Sequence, residues 1–318
     1  MSRRVLNIVG GRGYAGGEFL ALLAHHDGLR LGAAVSRSEA GRPIASTTPA
    51  WPDPDARFVG FGAEDVAGHP ADAWVLALPN GAAAPWVDAI ENVAPDAVII
   101  DFSADYRFDD RWVYGLPERN RAALDTARRI ANPGCYATGA QLAIAPVADD
   151  LAAAPVVFGV SGYSGAGRTP SPKNDPERLR DNLMPYALTG HMHEKEVSAQ
   201  LGRDVRFHPH VAAFFRGISL TVSMDLAAPT RVDALAERYR AFYAGERGVC
   251  VDEAIPEVRQ VADTPMTRVG GFAVDARDAR RVTVVAVLDN LLKGAASQAM
   301  QNLNLALGFD EWTGLEHG

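Results

Sequence analysis

The chain is 318 residues long, 47% hydrophobic and 22% charged, with a formal net charge of −8 and two cysteines. That length and apolar content suffice for a substantial core and two domains, while two distant cysteines exclude a disulfide framework or a four-ligand zinc site and point to a reducing, cytoplasmic compartment. The acidic balance disfavours nucleic acid and anionic membrane as partners, and the N-terminal apolar run ends in glycines far short of the ~18 residues that a membrane span needs.

Arg3 to Val9 reads as a strand buried on both faces and runs straight into "GGRGYAGGEFLALLAHH", giving the order strand, glycine turn, helix. Short apolar runs follow at "LRLGAAVS", "AWVLALP" and "AVIIDFS", with a helix-like "AAAPWVDAIENV" between the last two. This alternation predicts a parallel sheet built from βαβ units, a Rossmann-type α/β domain. Ser36 to Pro70, rich in Pro, Gly and Asp, carries little pattern. After residue 134 the pattern changes. "PVVFGVSG", "VRFHPHVA", "GISLTVSMDL" and "RRVTVVAVLD" read as antiparallel strands, with a hairpin turning at Asp275 to Arg280 and helices over Thr230 to Tyr243 and Asn290 to Leu307. The expected organisation is therefore a dinucleotide-binding domain over residues 1–134 and 293–318, and an α+β catalytic and dimerisation domain over 135–292.

Gly10, Gly13 and Gly16 form G-x-x-G-x-x-G at a strand-to-helix turn, where glycine lets the backbone approach a pyrophosphate and the helix N-terminus supplies N–H donors. Tyr14 and Ala15 open that helix and join the cofactor-binding candidates. At the end of the second strand, an acidic residue would favour NAD; the chain instead has Ser36, Arg37 and Ser38, which with Arg12 suit a 2′-phosphate and favour NADP. Against this, Arg37 can equally decorate a solvent-exposed loop.

"IANPGCYATGAQLAIAP" places Cys135 after a Pro-Gly turn and at the start of a helix, a position that favours thiolate and marks a nucleophile. Cys250 has no such setting and reads as inert. A proton-transfer partner comes from "TGHMHEKEV", in which His191 and His193 precede or open a helix and Glu196 falls three residues after His193. The segment lacks the i, i+4 histidine pair of zincins, so no metal is expected. His208 and His210 share one face of a strand, either structural or near the site. Ser164, Gly165, Gly167 and Arg168 in "GVSGYSGAGRTPSPKN" can cradle a phosphate, and Arg107 and Arg216 are further anion candidates whose alternative is an ordinary salt bridge.

Taken together, "GGRGYAGGEFL", "IDFSADYRF", "YGLPERN", "NPGCYATGAQLAIAP", "GVSGYSGAGR", "LTGHMHEKEV", "HPHVAAFFRGI" and "DNLLKGAASQAMQNLN" resemble the N-acetyl-γ-glutamyl-phosphate reductase family nearly end to end, within a superfamily that includes aspartate-semialdehyde dehydrogenase. The resemblance implies NADPH-dependent reduction of an acyl phosphate in arginine biosynthesis. It implies Cys135 as nucleophile, acid/base function in the histidine segment and Asn290 beside the nicotinamide; between His191 and His193 the sequence does not decide, and the reading favoured here is His193 as acid/base with His191 and Glu196 orienting it. It also implies that Arg107, Ser164 and Arg168 hold the acyl phosphate, in a homo-oligomer, dimer or tetramer. Arg12 in the glycine turn and "HMHEKEV" in place of "HRHTPE" depart from many bacterial members and are similar to the reductase part of fungal arginine-pathway fusion proteins. Rival readings are an aspartate-semialdehyde or aminoadipate-type reductase, a Cys–His acyl hydrolase, which would leave the glycine turn without a use, and a noncatalytic NADP sensor, which would leave the cysteine and histidines without one.

Overall fold

A computed structural model describes residues 3–316, and the chain forms two compact units, Met1–Gly134 with Ala295–Gly318, and Cys135–Gly294. In the first unit β1 (Arg4–Val9), β2 (Leu29–Val35), β3 (Ala73–Leu76), β4 (Val98–Asp101), β5 (Val113–Tyr114) and β6 (Arg129–Ala131) make a six-stranded sheet of order β2-β1-β3-β4-β6-β5. Every pairing is parallel. The unbroken apolar runs of β3 and β4 are buried throughout, as parallel strands covered on both faces must be. Helices α1 (Tyr14–Ala24), α2 (Ala84–Val93) and α3 (Pro117–Leu124) provide the crossovers. The chain leaves β1 for β2 on one side and then returns to place β3 on the other. That order makes the C-terminal ends of β1 and β3 the switch point at which α/β sheets bind ligands. The pattern-poor stretch after β2 folds into short 3₁₀ turns at Arg37–Glu39, Ile44–Ser46 and Ala63–Gly68, with isolated bridges Val35↔Val59 and Pro43↔Arg57. Buried Ile44, Phe58 and Val66 hold it against the unit.

The second unit contains α4 (Cys135–Ile144), β7 (Val156–Gly162), α5 (Pro176–Leu179), β8 (Leu183–Pro185), α6 (Met192–Leu201), β9 (Arg206–Ala212), β10 (Ile218–Asp225), α7 (Val232–Phe242), β11 (Val249–Val251), β12 (Thr267–Asp275) and β13 (Asp278–Leu288). Its seven strands run in the order β11-β12-β13-β10-β7-β9-β8. The expectation of antiparallel strands holds for β10 with β7 and β13, β12 with β13, and β8 with β9. It fails for β7 with β9 and for β11 with β12, which pair in parallel. The long segment joining β7 to β9 carries α5, β8 and α6, enough chain for the crossover that parallel pairing needs. The β12–β13 hairpin turns at Ala276 and Arg277, tighter than the six-residue span expected. Helix α4 packs on β10 and β13, where Gly139 matters because any Cβ there would collide with Leu220 and Leu288.

The last helix differs from the continuous one expected over Asn290 to Leu307. Leu292–Ala296 is a π-helical turn, followed by α8 (Ser297–Leu307), which packs on α1, α3 and β4 of the first unit. The cause is Asp289: its Oδ1 accepts from Leu291 N (2.8 Å) and Leu292 N (3.1 Å), and its carbonyl accepts from Gly294 N (2.8 Å). These bonds set the chain into a wider turn before the α-helix begins. No helix among the described residues is long and apolar enough to cross a membrane.

Candidate active site

In the first unit the glycine turn sits at the C-terminal end of β1. Gly10 has φ of +87°, and any Cβ on it would collide with the Ala77 carbonyl oxygen where β1 and β3 lie side by side. A Cβ on Gly16 would lie 2.6 Å from Gly10 O, whereas one on Gly13 would meet only Gly10 O at 3.4 Å. Gly10 and Gly16 therefore close the turn and Gly13 leaves its outer side open. Gly13 is the N-cap of α1 and has no side chain to cover the first-turn N–H groups of Tyr14, Ala15 and Gly16. Backbone donors, an open approach and the positive end of α1 fit the pyrophosphate of a dinucleotide. Arg12 is exposed, Ser36 is buried with its hydroxyl 3.5 Å from that of Ser38, and Arg37 faces solvent, 3.8 Å from an equally exposed Glu64. Such an ion pair is worth little and leaves Arg37 available.

Three groups fix the strand end that leads to the cysteine. Arg107 is buried and donates from Nε to Asn132 O (2.9 Å) and from Nη2 to Phe102 O (2.8 Å). Much of its donor fork is thus committed to main-chain carbonyls. Asn132 donates to Ala295 O (3.1 Å) and accepts from Asn302 Nδ2 (3.1 Å). Asp101, fully buried at the end of β4, accepts from Ser103 N and Ser103 Oγ, and burial nevertheless pushes its carboxyl up to about 6.

In the second unit Cys135 is the first residue of α4 and is half-buried. A Cβ on Gly294 would lie 2.6 Å from Cys135 Cβ, so glycine is the residue that fits beside it. Around Tyr136 a cluster of rings assembles: Phe207 at 4.8 Å, His193 at 5.8 Å and His191 at 6.3 Å, with His191 4.9 Å from His193 and 5.6 Å from Tyr186. The Tyr136 hydroxyl donates to His210 O at 2.6 Å. His191 is the N-cap of α6, and its Nδ1 accepts from His193 N at 3.1 Å, so the neutral ring carries its proton on Nε2. Burial first, and then the nearby Lys173 charge, push its pKa below the usual histidine value. Glu196 is fully buried on the same helix. Glu194 fastens the helix start, accepting from Gly190 N and Phe207 N, each at 3.0 Å.

His208 and His210 alternate with buried Phe207, Pro209 and Val211, which puts their rings on the sheet face opposite the cluster, where His210 packs 4.3 Å from Phe158. Asn290 donates to Ser164 Oγ (2.9 Å) and accepts from Gly217 N (2.6 Å), tying two loops together. Gly165 and Arg168 are exposed beside Gly167, which has φ of +77°. Arg216 departs from the anion-binding expectation. Its Nε and Nη2 grip the fully buried Asp289 at 2.6 and 3.2 Å, and Nη1 reaches Asp263, so its charge is already neutralised. Cys250 lies half-buried on β11. Among the described residues no group of three or more His, Cys, Asp or Glu is placed to hold a metal ion. Tyr136, Tyr186, Asp289 and Gly294 were not singled out from sequence. Only Tyr136, next to Cys135, and Asp289, next to Asn290, carried a positional hint.

Residues 5–127 match the family model described as "Semialdehyde dehydrogenase, NAD binding domain", and 135–290 the one described as "Semialdehyde dehydrogenase, dimerisation domain". The chain is 53% identical over 98% of its length and 98% of the relative's to an N-acetyl-gamma-glutamyl-phosphate reductase of Stenotrophomonas maltophilia. It is 52% identical, over 97% of each chain, to one of Xanthomonas axonopodis pv. citri. The chain belongs to the N-acetyl-gamma-glutamyl-phosphate reductase family. It is an oxidoreductase with a nicotinamide dinucleotide cofactor, in agreement with the open glycine turn. Among solved structures, aspartate semialdehyde dehydrogenase II of Vibrio cholerae is 18% identical with a TM-score of 0.78, covering 97% of this chain and 99% of that one. The aspartate semialdehyde dehydrogenase of Candida albicans, solved with NADP, is 16% identical with a TM-score of 0.74, covering 96% and 98%. At that identity the likeness is one of fold.

Proposed function

We propose that the reaction of this reductase family, from N-acetyl-L-glutamyl 5-phosphate to the 5-semialdehyde, runs here through a thioester on Cys135, with NADPH as reductant, in a cytoplasmic homo-oligomer. The observation that carries the reading is Cys135 as the first residue of α4, beside a ring cluster that contains both histidines. The positive end of α4 favours negative charge on Sγ. Sγ attacks the acyl carbon, the carbonyl reforms, and phosphate leaves with the electron pair of the broken C–O bond. When bound, the reduced nicotinamide supplies the hydride that brings this carbon to the aldehyde level. The N–H groups that open α4 steady the oxyanion. His193 gives that oxygen a proton and takes it back as the C–S bond breaks, releasing aldehyde and thiolate. His191 has its Nδ1 committed to the helix cap, which favours His193 for the transfer and leaves His191 and Glu196 to position it.

Gly10, Gly13, Gly16, Tyr14 and Ala15 hold the pyrophosphate, and Arg12, Ser36 and Arg37, with no acid at the end of β2, favour the 2′-phosphate of NADP. Asn290 supports the nicotinamide side, and Ser164 and Arg168 the acyl phosphate. The test is phosphate-dependent reduction of NADP with N-acetylglutamate semialdehyde. Cys135→Ala is expected to lose turnover by at least about 10⁴-fold while still binding NADP. Near-normal rates in that variant, or an acyl adduct found by mass spectrometry on Cys250, would sink the assignment. Preference for aspartate semialdehyde or an aminoadipate analogue would overturn the substrate.

A further inference from the structure

The chain has only three lysines. Lys195 is exposed on α6 and Lys293 is fully buried. Lys173 is half-buried on the loop between β7 and α5, and the neighbouring residue pins that loop. Asn174 Oδ1 accepts from Ser171 N (2.7 Å) and Ser171 Oγ (3.2 Å), and its Nδ2 donates to Gly167 O (2.7 Å) and Thr169 O (2.8 Å). The ammonium is therefore presented from an ordered segment. Its Nζ stands 4.8 Å from the centroid of the Tyr186 ring, and that ring is 5.6 Å from His191. Among the described residues no carboxylate forms an ion pair with Lys173, in contrast to Arg216, which is held by two.

A half-buried cation of this kind retains its charge for a ligand, and its surroundings select which. N-acetylglutamyl phosphate carries a phosphate on the reacting carbon and an α-carboxylate with three carbons between. The Tyr186 ring adjoins His191, which lies 6.3 Å from the ring of Tyr136, the residue after Cys135, so the Tyr186 ring stands between Lys173 and the histidine cluster. A cation set back by one ring suits the distant carboxylate better than the phosphate at the carbon under attack. We infer that Lys173 binds the α-carboxylate of the substrate and makes the enzyme specific for N-acylated amino-acid semialdehydes that keep it. This inference rests on the reductase reading above.

The test uses the full-length enzyme in the phosphorylating direction, with N-acetylglutamate semialdehyde, its α-carboxamide and inorganic phosphate as probes. Lys173→Met is expected to raise the KM for the semialdehyde about 10- to 100-fold with kcat changed only a few-fold, as loss of a charge-assisted contact predicts. The KM values for phosphate and NADP stay at wild-type levels, and Lys173→Arg recovers most of the loss. The carboxamide is used equally poorly by wild type and Lys173→Met, a comparison whose wild-type arm needs no substitution to fold. An unchanged semialdehyde KM, a rise in the phosphate KM instead, or a carboxamide that wild type accepts as well as the acid would overturn the inference alone. No wild-type turnover of the semialdehyde would overturn the reductase reading and this inference with it.

Discussion

Cys135 and Gly294 lie in van der Waals contact although they are far apart in sequence, and the pairing leaves no space for a methyl group. In Gly294→Ala the new Cβ would sit 2.6 Å from Cys135 Cβ, and both atoms are attached to backbone, so one chain must move. A shift of that size misaims the thiol, and kcat is expected to fall about 10- to 100-fold while NADP affinity, measured by fluorescence titration, stays unchanged. Retained kcat would show that the contact does not aim the sulfur. A second residue makes its mark on stability. Burial raises the Asp101 carboxyl from 3.8 to about 6, so the folded state holds that proton more tightly than the unfolded chain. The stabilisation is complete below the unfolded value and is lost as pH rises through about 6. Relative to Asp101→Asn, wild type should lose on the order of 2 to 3 kcal/mol between about pH 4 and 6, read from urea midpoints, and parallel profiles would refute this. Sequence made Cys135 legible because its signal is local, a Pro-Gly turn and a helix start. It could not show that Arg216 is spent on Asp289, since that pairing depends on how distant segments fold together.

Helix α8 shows where patterning misleads. Gln298, Gln301, Asn302 and Asn304 are all buried, although a helix with amides around it reads as a surface one. The amides work as ties between elements. Asn302 Nδ2 donates to Gly115 O at 2.8 Å, and Asn304 Nδ2 donates to Glu311 O (3.0 Å) and Thr313 O (2.9 Å). Asn304 Oδ1 accepts from Nε2 of His26 at 2.8 Å, while Nδ1 of that histidine accepts from Gly28 N (3.1 Å) and Leu29 N (3.0 Å). One imidazole thus joins the end of α1, the start of β2 and α8. His26→Ala would leave two N–H groups and a carbonyl oxygen buried without partners, a loss of about 2 to 4 kcal/mol in urea unfolding with kcat per folded enzyme unchanged. Loss below about 0.5 kcal/mol would mean that water replaces the ring. Burial lowers the His26 pKa, so this tie contributes fully above the unfolded value of 6.5 and is lost as pH falls through the lower folded value. The existence and order of the elements were legible because strand and helix periods differ. The π-helical turn was not, because it depends on hydrogen bonds from the Asp289 carboxylate.

At the scale of the whole molecule, two sheets of different kinds follow from two different runs of sequence, uninterrupted apolar strands before residue 134 and alternating ones after it. The alternation also says that the second sheet has one covered face and one open face. Along β7, Val157, Gly159 and Ser161 are buried, while Val156 and Val160 are half-buried and Phe158 is 40% exposed on the other side. Helices α4 and α7 cover the first of these faces. Seven strands at ~4.8 Å spacing and about 20 Å of strand length give an open face of roughly 600 Å², close to the ~800 Å² per partner of a standard interface. A second copy of the chain is the occupant that the "dimerisation domain" description of residues 135–290 supports. Phe158 stands on a central strand of that face, packed on His210, and a charge there would be desolvated without a partner on association. Phe158→Asp is therefore expected to shift the light-scattering mass from an oligomer to a single chain at micromolar concentration, while binding of the nicotinamide dinucleotide, whose family-model domain covers residues 5–127, stays within a few-fold of wild type. A variant that keeps the wild-type mass would place the interface on another surface.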